Sequence, residues 1–266
     1  MSAEEGPRFH YDVHDGDGPY ALLVHGALSS RSQWLSNLEA LGAVCRPVVV
    51  ELYGHGRSPS PEEPFAYSPA GYVDEFERLR RTLGVERWLV CGYSLGAALT
   101  VRYALDRPER VIAQAFTNSM SAFADRAWRE RVSPSLEDVA RALEEEGRSA
   151  LESLPINPSR GRRLPAAARE ALIADYRLHD PCGIARTFRH TVPGSPLGDR
   201  ISENRVPALL VAGRREAAFL PHRRRAEQSM PALAVVELDT GHAVNIEDAG
   251  GFNAAVTRFF ADAEKR

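Results

Sequence analysis

A serine lies at the centre of a G-x-S-x-G pattern at residues 92–96, and this residue is Ser94. An apolar, strand-like run (87–91) leads into the pattern, and a helix-like run of small residues (97–105) follows it. In this setting the pattern makes a sharp strand-to-helix turn that exposes the serine hydroxyl. Larger side chains at the two glycine positions would collide with the neighbouring strand and helix. Ser94 is therefore the candidate nucleophile.

Other motifs stand around this serine in a definite order along the chain. His25-Gly26 follows an apolar run (20–24), and a G-x-G-x-S-like turn (54–58) follows a second one. Thr240-Gly241-His242 lies near the end, before an amphipathic helix. Together with the serine turn, these motifs resemble the α/β-hydrolase family over nearly the whole chain. The resemblance implies a serine nucleophile, an acid and a histidine in that order, and implies no metal or organic cofactor.

The resemblance identifies His242 as the base that takes the serine proton, although the chain contains eight histidines. The acid is less obvious. Glu216 occupies the place where the family usually has an acid after its penultimate strand, in Gly213-Arg214-Arg215-Glu216; an ordinary surface glutamate is the alternative. The other place where the family can have its acid follows the predicted strand at residues 110–116, and it contains no carboxylate. Asp239 lies only three residues before His242 and is interpreted as a turn residue.

The resemblance also implies an oxyanion hole and a substrate pocket. The backbone N–H groups of Ala27 and Leu95 are expected to bind the oxyanion, with His25 bracing their loop and His55 in a structural loop nearby. Four large side chains could shape the pocket, although packing alone would account for each of them: Leu28, Trp34, Phe123 and Trp128.

Strand and helix patterns alternate over most of the chain and predict a doubly wound, mostly parallel sheet flanked by helices. From about residue 119 to 204 the pattern becomes helical and rich in proline, with Ser133-Pro134 as the expected cap and first turn of one helix. We therefore expect an α/β-hydrolase core of residues 1–118 and 205–266, and a helical lid insertion of residues 119–204.

Composition restricts the classes of partner. The formal charge of -3 over 266 residues gives no reason to expect nucleic acid. No run is long enough to span a membrane, and the polar N-terminal segment lacks the apolar core of a signal peptide. The three cysteines have no metal-ligand spacing. We expect a cytoplasmic protein that acts on a small molecule, and the sequence leaves its oligomeric state open.

The expected function is hydrolysis of an ester or lactone of a small, largely apolar compound through an acyl-enzyme on Ser94. A carbon–carbon bond hydrolase or related lyase could use the same residues on a diketone-like substrate. The serine turn resembles that of the menaquinone-pathway lyases, but Ala98 stands where that branch typically has an arginine. A ligand-binding receptor on this fold is the alternative from another class.

Overall fold

The computed structural model describes residues 8–265. A seven-stranded sheet runs through its centre, and its strands in chain order are β1 (Tyr11–Val13), β2 (Tyr20–Val24), β3 (Arg46–Val50), β4 (Trp88–Gly92), β5 (Val111–Thr117), β6 (Ala208–Gly213) and β7 (Leu233–Leu238). Their spatial order is β1-β3-β2-β4-β5-β6-β7. Only the β1–β3 pair is antiparallel among these strands. The mostly parallel sheet predicted from the sequence is confirmed.

Helices cover both faces of the sheet and fill the insertion. In chain order they are α1 (Leu38–Gly42), α2 (Pro69–Thr82), α3 (Leu95–Asp106), α4 (Met120–Phe123), α5 (Arg126–Glu146), α6 (Arg148–Ser153), α7 (Ala166–Tyr176), α8 (Pro181–Arg186), α9 (Val192–Gly194), α10 (Leu220–Ser229), α11 (Val244–Glu247) and α12 (Ala249–Glu264). A π-helical turn (Thr187–Thr191) joins α8 to α9. No helix within residues 8–265 is long and apolar enough to cross a membrane.

The two faces of the sheet belong to different apolar cores. Side chains alternate along a strand, so Leu22 packs on the face covered by α2 and α3. Its neighbour Leu23 packs on the opposite face, which α12 covers with Phe252, Val256 and Phe260. Burial on both faces explains why the strands read as continuous apolar runs in the sequence.

The segment between β5 and β6 contains the helices α4 to α9, with turns between α6 and α7. It has an apolar cluster of its own, in which Leu143 of α5 and Leu151 of α6 meet Ile184 of α8. The division of the chain into a core and an insertion at residues 119–204 stays a prediction, and this helical segment falls within the predicted insertion. That it serves as a lid stays a prediction.

The prediction that a helix begins at Ser133-Pro134 is wrong, because α5 starts at Arg126 and passes through Pro134. The start is fixed by Asp125, whose side chain accepts a hydrogen bond from the Trp128 N–H at 2.8 Å. Proline removes one backbone donor, and here it lies on the exposed side of the helix. The helix therefore continues, with its apolar face packed inside the insertion.

The insertion is held against the core by a buried carboxylate and by close backbone packing. Asp175 of α7 accepts a hydrogen bond from the Ser32 hydroxyl at 2.6 Å and pairs with Arg57 at 3.2 Å. Gly183 of α8 lies so close to Gly54 that a Cβ atom on Gly183 would be 2.5 Å from the Gly54 Cα. We refer to these two features as the docking contact.

Candidate active site

Ser94 lies at the carboxyl end of β4, the central strand, where ligands bind in open α/β sheets. Its backbone has φ 53° and ψ -114°, a strained conformation for a residue other than glycine. A Cβ atom on Gly92 would lie 2.3 Å from the Thr100 Oγ1, and one on Gly96 would lie 2.1 Å from the Val24 carbonyl oxygen. The turn therefore requires glycine at both positions, as expected from the sequence.

His242 joins the serine to a carboxylate. It lies on the loop between β7 and α11, and its Nε2 is 2.9 Å from the Ser94 Oγ. Its Nδ1 is 3.0 Å from both carboxylate oxygens of Glu216. Because the carboxylate can only accept, Nδ1 carries the proton and Nε2 is free to accept the serine hydroxyl proton. This geometry is that of a nucleophile with an oriented general base.

Asp239, the rival acid, takes no part in this chain of hydrogen bonds. It is exposed and accepts hydrogen bonds from Arg214 and Arg215, each with Nε at 2.8 Å from its Oδ1. These hydrogen bonds lower the pKa of the Asp239 carboxyl. The two arginines next to Glu216 in the sequence are therefore engaged with Asp239, and Glu216 is the acidic group that reaches His242.

Asn118 supports Glu216 from the position directly after β5, where the sequence offered no carboxylate. Its Nδ2 donates to the Glu216 Oε2 at 2.7 Å and to the Gly213 carbonyl at 3.1 Å. Burial alone would raise the pKa of Glu216, but the hydrogen bonds from His242 and Asn118 outweigh it, so the pKa is lowered and the carboxylate stays ionised. The role of Asn118 was not predicted from the sequence, although its position at the carboxyl end of a core strand is typical of residues at such a site.

The two amides expected to bind an oxyanion lie beside the serine. Ala27 and Leu95 border the same cavity as Ser94. Within the described part of the chain, neither backbone N–H has a hydrogen-bond acceptor. Leu95 is the first residue of α3, where free N–H groups and the helix dipole favour negative charge. Both donors are thus available to a substrate oxygen.

Two buried histidines hold the loop that carries Ala27. The Leu28 N–H donates to the His55 Nε2 at 3.1 Å, and the Leu52 N–H donates to the His25 Nε2 at 3.0 Å. Each Nδ1 faces a backbone carbonyl, so both rings are neutral with the proton on Nδ1. Burial lowers the pKa of each imidazole to about 3. His25 and His55 therefore brace the loop, as the sequence suggested.

Acid is expected to destabilise the fold through these two rings. The pKa of each ring is 6.5 in the unfolded chain and about 3 in the folded protein. As the pH falls, the unfolded chain therefore binds protons before the folded protein does. Their stabilising contribution is complete above 6.5 and falls as the pH drops towards 3. The loss is on the order of 2 kcal/mol per ring at about pH 5. Urea denaturation at about pH 7 and about pH 5 measures it.

A matched pair of variants separates this effect from general acid sensitivity. His55→Gln is expected to reduce the difference between the two pH values by about half, since glutamine does not titrate and the His25 ring remains. His14→Gln, next to the edge strand, should leave it unchanged. An unfolding free energy that is the same at both pH values in the unmodified protein would contradict the assignment.

A cavity of about 560 Å³ opens next to Ser94. Of the four side chains expected to shape it, Leu28 and Trp128 line it. The prediction for Trp34 and Phe123 is wrong. Trp34 is fully buried against Phe252 on one face of the sheet, and Phe123 packs between Phe116 and Phe219. Both rings belong to the core because their full burial there removes more apolar surface from water.

Most of the other residues that line the cavity were not predicted from the sequence. Met120 and Ile156, which are 38% and 56% exposed, border the opening of the cavity. Several arginines of the insertion also line it, and they are treated below. In the described residues, no group of three or more His, Cys, Asp and Glu side chains could hold a metal ion.

Comparisons with known proteins agree with this fold. The family model described as alpha/beta hydrolase fold matches residues 22–249. A Bacillus subtilis protein provisionally named 2-succinyl-6-hydroxy-2,4-cyclohexadiene-1-carboxylate synthase is 25% identical over 273 residues, which cover 97% of each chain. Among solved structures, MenH from S. aureus has a TM-score of 0.85 at 19% identity, covering 96% of this chain and 99% of its own. The enol-lactonase from Burkholderia xenovorans LB400 has a TM-score of 0.78 at 23% identity, covering 94% of this chain and 95% of its own.

Proposed function

The chain belongs to the α/β-hydrolase fold family, and from that premise we propose that it is a serine hydrolase. It cleaves an ester or lactone of a small, largely apolar substrate through an acyl-enzyme on Ser94. The observation that carries the proposal is the hydrogen-bonded series Ser94–His242–Glu216 at the edge of a cavity. In this proposal the helical insertion of residues 119–204 acts as the lid over the substrate.

Acylation follows from the protonation states in the resting site. The His242 Nε2 accepts the hydroxyl proton as the Ser94 Oγ attacks the substrate carbonyl carbon. Negative charge moves to the carbonyl oxygen, which the N–H groups of Ala27 and Leu95 bind. The Glu216 carboxylate stabilises the imidazolium. When the tetrahedral intermediate collapses, the Nε2–H gives its proton to the departing alkoxide oxygen.

Deacylation uses the same groups with water as the nucleophile. The His242 Nε2 takes a proton from water, and the remaining hydroxide attacks the acyl carbon on Ser94. The second tetrahedral intermediate collapses, the Ser94 oxygen leaves and recovers a proton from Nε2, and the acid is released. For a lactone, the alcohol and the acid are parts of one ring-opened product.

Labelling with a fluorophosphonate tests the nucleophile directly. The probe is expected to form a covalent adduct on Ser94, located by peptide mass spectrometry, because only an activated serine hydroxyl attacks phosphorus at a useful rate. A panel of p-nitrophenyl esters and lactones should then show turnover. An unmodified protein that never labels would refute the proposal. Labelling followed by slow single turnover with retained product would favour a receptor instead.

A carbon–carbon bond hydrolase or lyase is the second candidate, and one finding favours it. The Bacillus subtilis relative, similar over nearly its whole length, carries a lyase-type name. Ala98, at the position where the lyase branch typically has an arginine, counts against this candidate. It lies in an apolar cluster and does not border the cavity. Adding vinylogous diketones to the substrate panel separates the two: turnover of these without ester turnover would favour the second candidate.

A further inference from the structure

One stretch of the insertion places positive charge at the cavity. Between α6 and α7 the chain makes a series of tight turns, in which the Gly161 N–H donates to the Pro158 carbonyl at 3.0 Å. Three arginines of this stretch, Arg160, Arg162 and Arg163, line the cavity that contains Ser94. All three side chains are exposed. The nearest charges to a bound substrate from this side are therefore guanidinium groups.

These guanidinium groups have no carboxylate partners in the described residues, as no ion pair is formed by Arg160, Arg162 or Arg163. Arg189 of the same insertion, by contrast, binds Glu137 at 2.8 Å and Glu144 at 2.6 Å. The chain as a whole carries a formal charge of -3, so a cluster of unpaired positive charge does not follow from its composition.

Among residues 8–265, Glu247 has the only carboxylate on the cavity wall, and backbone groups already engage it. Its Oε2 accepts from the Gly241 N–H at 2.8 Å, and its Oε1 accepts from the Ala243 N–H at 3.3 Å. A Cβ atom on Gly241 would lie 2.8 Å from the Arg163 Nη1 and 3.0 Å from the Glu247 Oε1, so Arg163 and this carboxylate lie on the same side of Gly241. Arg160 and Arg162 lack such a neighbour.

From these contacts we infer that the substrate carries an anionic group, such as a carboxylate, which Arg160 and Arg162 bind while its apolar part lies near Met120, Ile156 and Trp128. The inference rests on the proposed hydrolase function, since it assigns the substrate class of the same cavity. Guanidinium groups suit this role because their N–H donors match the two oxygens of a carboxylate. The substrate is thus an ester or lactone with one charged end.

A matched pair of esters tests whether a negative charge on the substrate favours turnover. Mono-(4-nitrophenyl) glutarate and 4-nitrophenyl pentanoate have acyl chains of the same length, and only the first has a terminal carboxylate. The protein should prefer the charged ester in kcat/KM. Arg160→Gln/Arg162→Gln should lower kcat/KM for it roughly 10-fold and change the neutral ester by less than about twofold. High salt should reduce the preference as well, because the side chains are exposed.

The control variant Arg129→Gln/Arg131→Gln removes the same charge from the exposed side of α5, away from the cavity, and should keep the preference. Equal losses on both esters, or the same loss in the control, would overturn the inference while leaving the hydrolase function intact.

Binding to Ser94→Ala decides the inference even if neither ester is cleaved. By calorimetry, 4-phenylbutyrate should bind Ser94→Ala more tightly than the neutral 4-phenylbutyramide, and Arg160→Gln/Arg162→Gln should remove the difference. Equal affinity for the two compounds would refute the anion site. No ester turnover by the unmodified protein, together with a carboxylate preference in binding, would refute the hydrolase function alone.

Discussion

Replacing Ser94 with alanine is expected to lower ester turnover by about 10⁴-fold or more, because it removes the atom proposed to form the acyl-enzyme. The Oγ of Ser94 is the only group that His242 Nε2 contacts by hydrogen bond in the described structure. Alanine keeps the Cβ, so the strained turn and the fold should persist. Steady-state kinetics with a nitrophenyl ester measure the loss, and circular dichroism checks the fold.

Ser121→Ala is the matched control for this change. Ser121 lines the same cavity, and within residues 8–265 its hydroxyl forms a hydrogen bond only with the Ser119 hydroxyl, at 3.4 Å. Its removal should leave turnover within about threefold, since the contact is a weak neutral hydrogen bond. Turnover by Ser94→Ala within about tenfold of the unmodified protein would mean that another group is the nucleophile.

Glu216→Gln is expected to lower kcat by roughly 10²- to 10⁴-fold with little change in KM. The glutamine amide can present its NH2 group to the His242 Nδ1, which then becomes an acceptor and moves the ring proton to Nε2. The Nε2 atom, 2.9 Å from the serine, can then no longer take its proton. The neutral side chain also fails to stabilise the imidazolium.

Asp239→Asn separates the two acid candidates in the same assay. Asp239 bonds to Arg214 and Arg215 at the surface, so its loss should leave kcat near that of the unmodified protein. Thermal unfolding should show that both variants are folded. If Glu216→Gln turned over normally and Asp239→Asn did not, the assignment of the acid would be reversed.

The sequence predicted the parts of this protein that follow from local pattern. The run 20–24 is observed as β2 with the same bounds, because strands buried on both faces consist of consecutive apolar residues. Ser94, Glu216 and His242 could be placed because each lies in the turn or loop that follows a core strand. The structure brings these three side chains together, and their catalytic roles stay predictions.

What the sequence did not reveal depends on packing between distant segments. Nothing local distinguishes Trp34, which is buried in the core, from Trp128, which borders the cavity. Asn118 was recognised only as a missing acid, since its partner Glu216 lies 98 residues further along the chain. The insertion has no strand to fix its position, so the arginines on its turns could not be assigned to a cavity wall.

The docking contact constrains how a substrate can enter. Rotation of the whole insertion would break the hydrogen bond and the ion pair that join Asp175 to Ser32 and Arg57, and would open the close packing of Gly183 on Gly54. Residues 155–164 are not held in this way, since most of them are exposed. Local displacement of this stretch, on the timescale of loop motion, is therefore the less costly route of access. Rates of substrate entry and product release should then depend on these turns and not on rotation of the whole insertion.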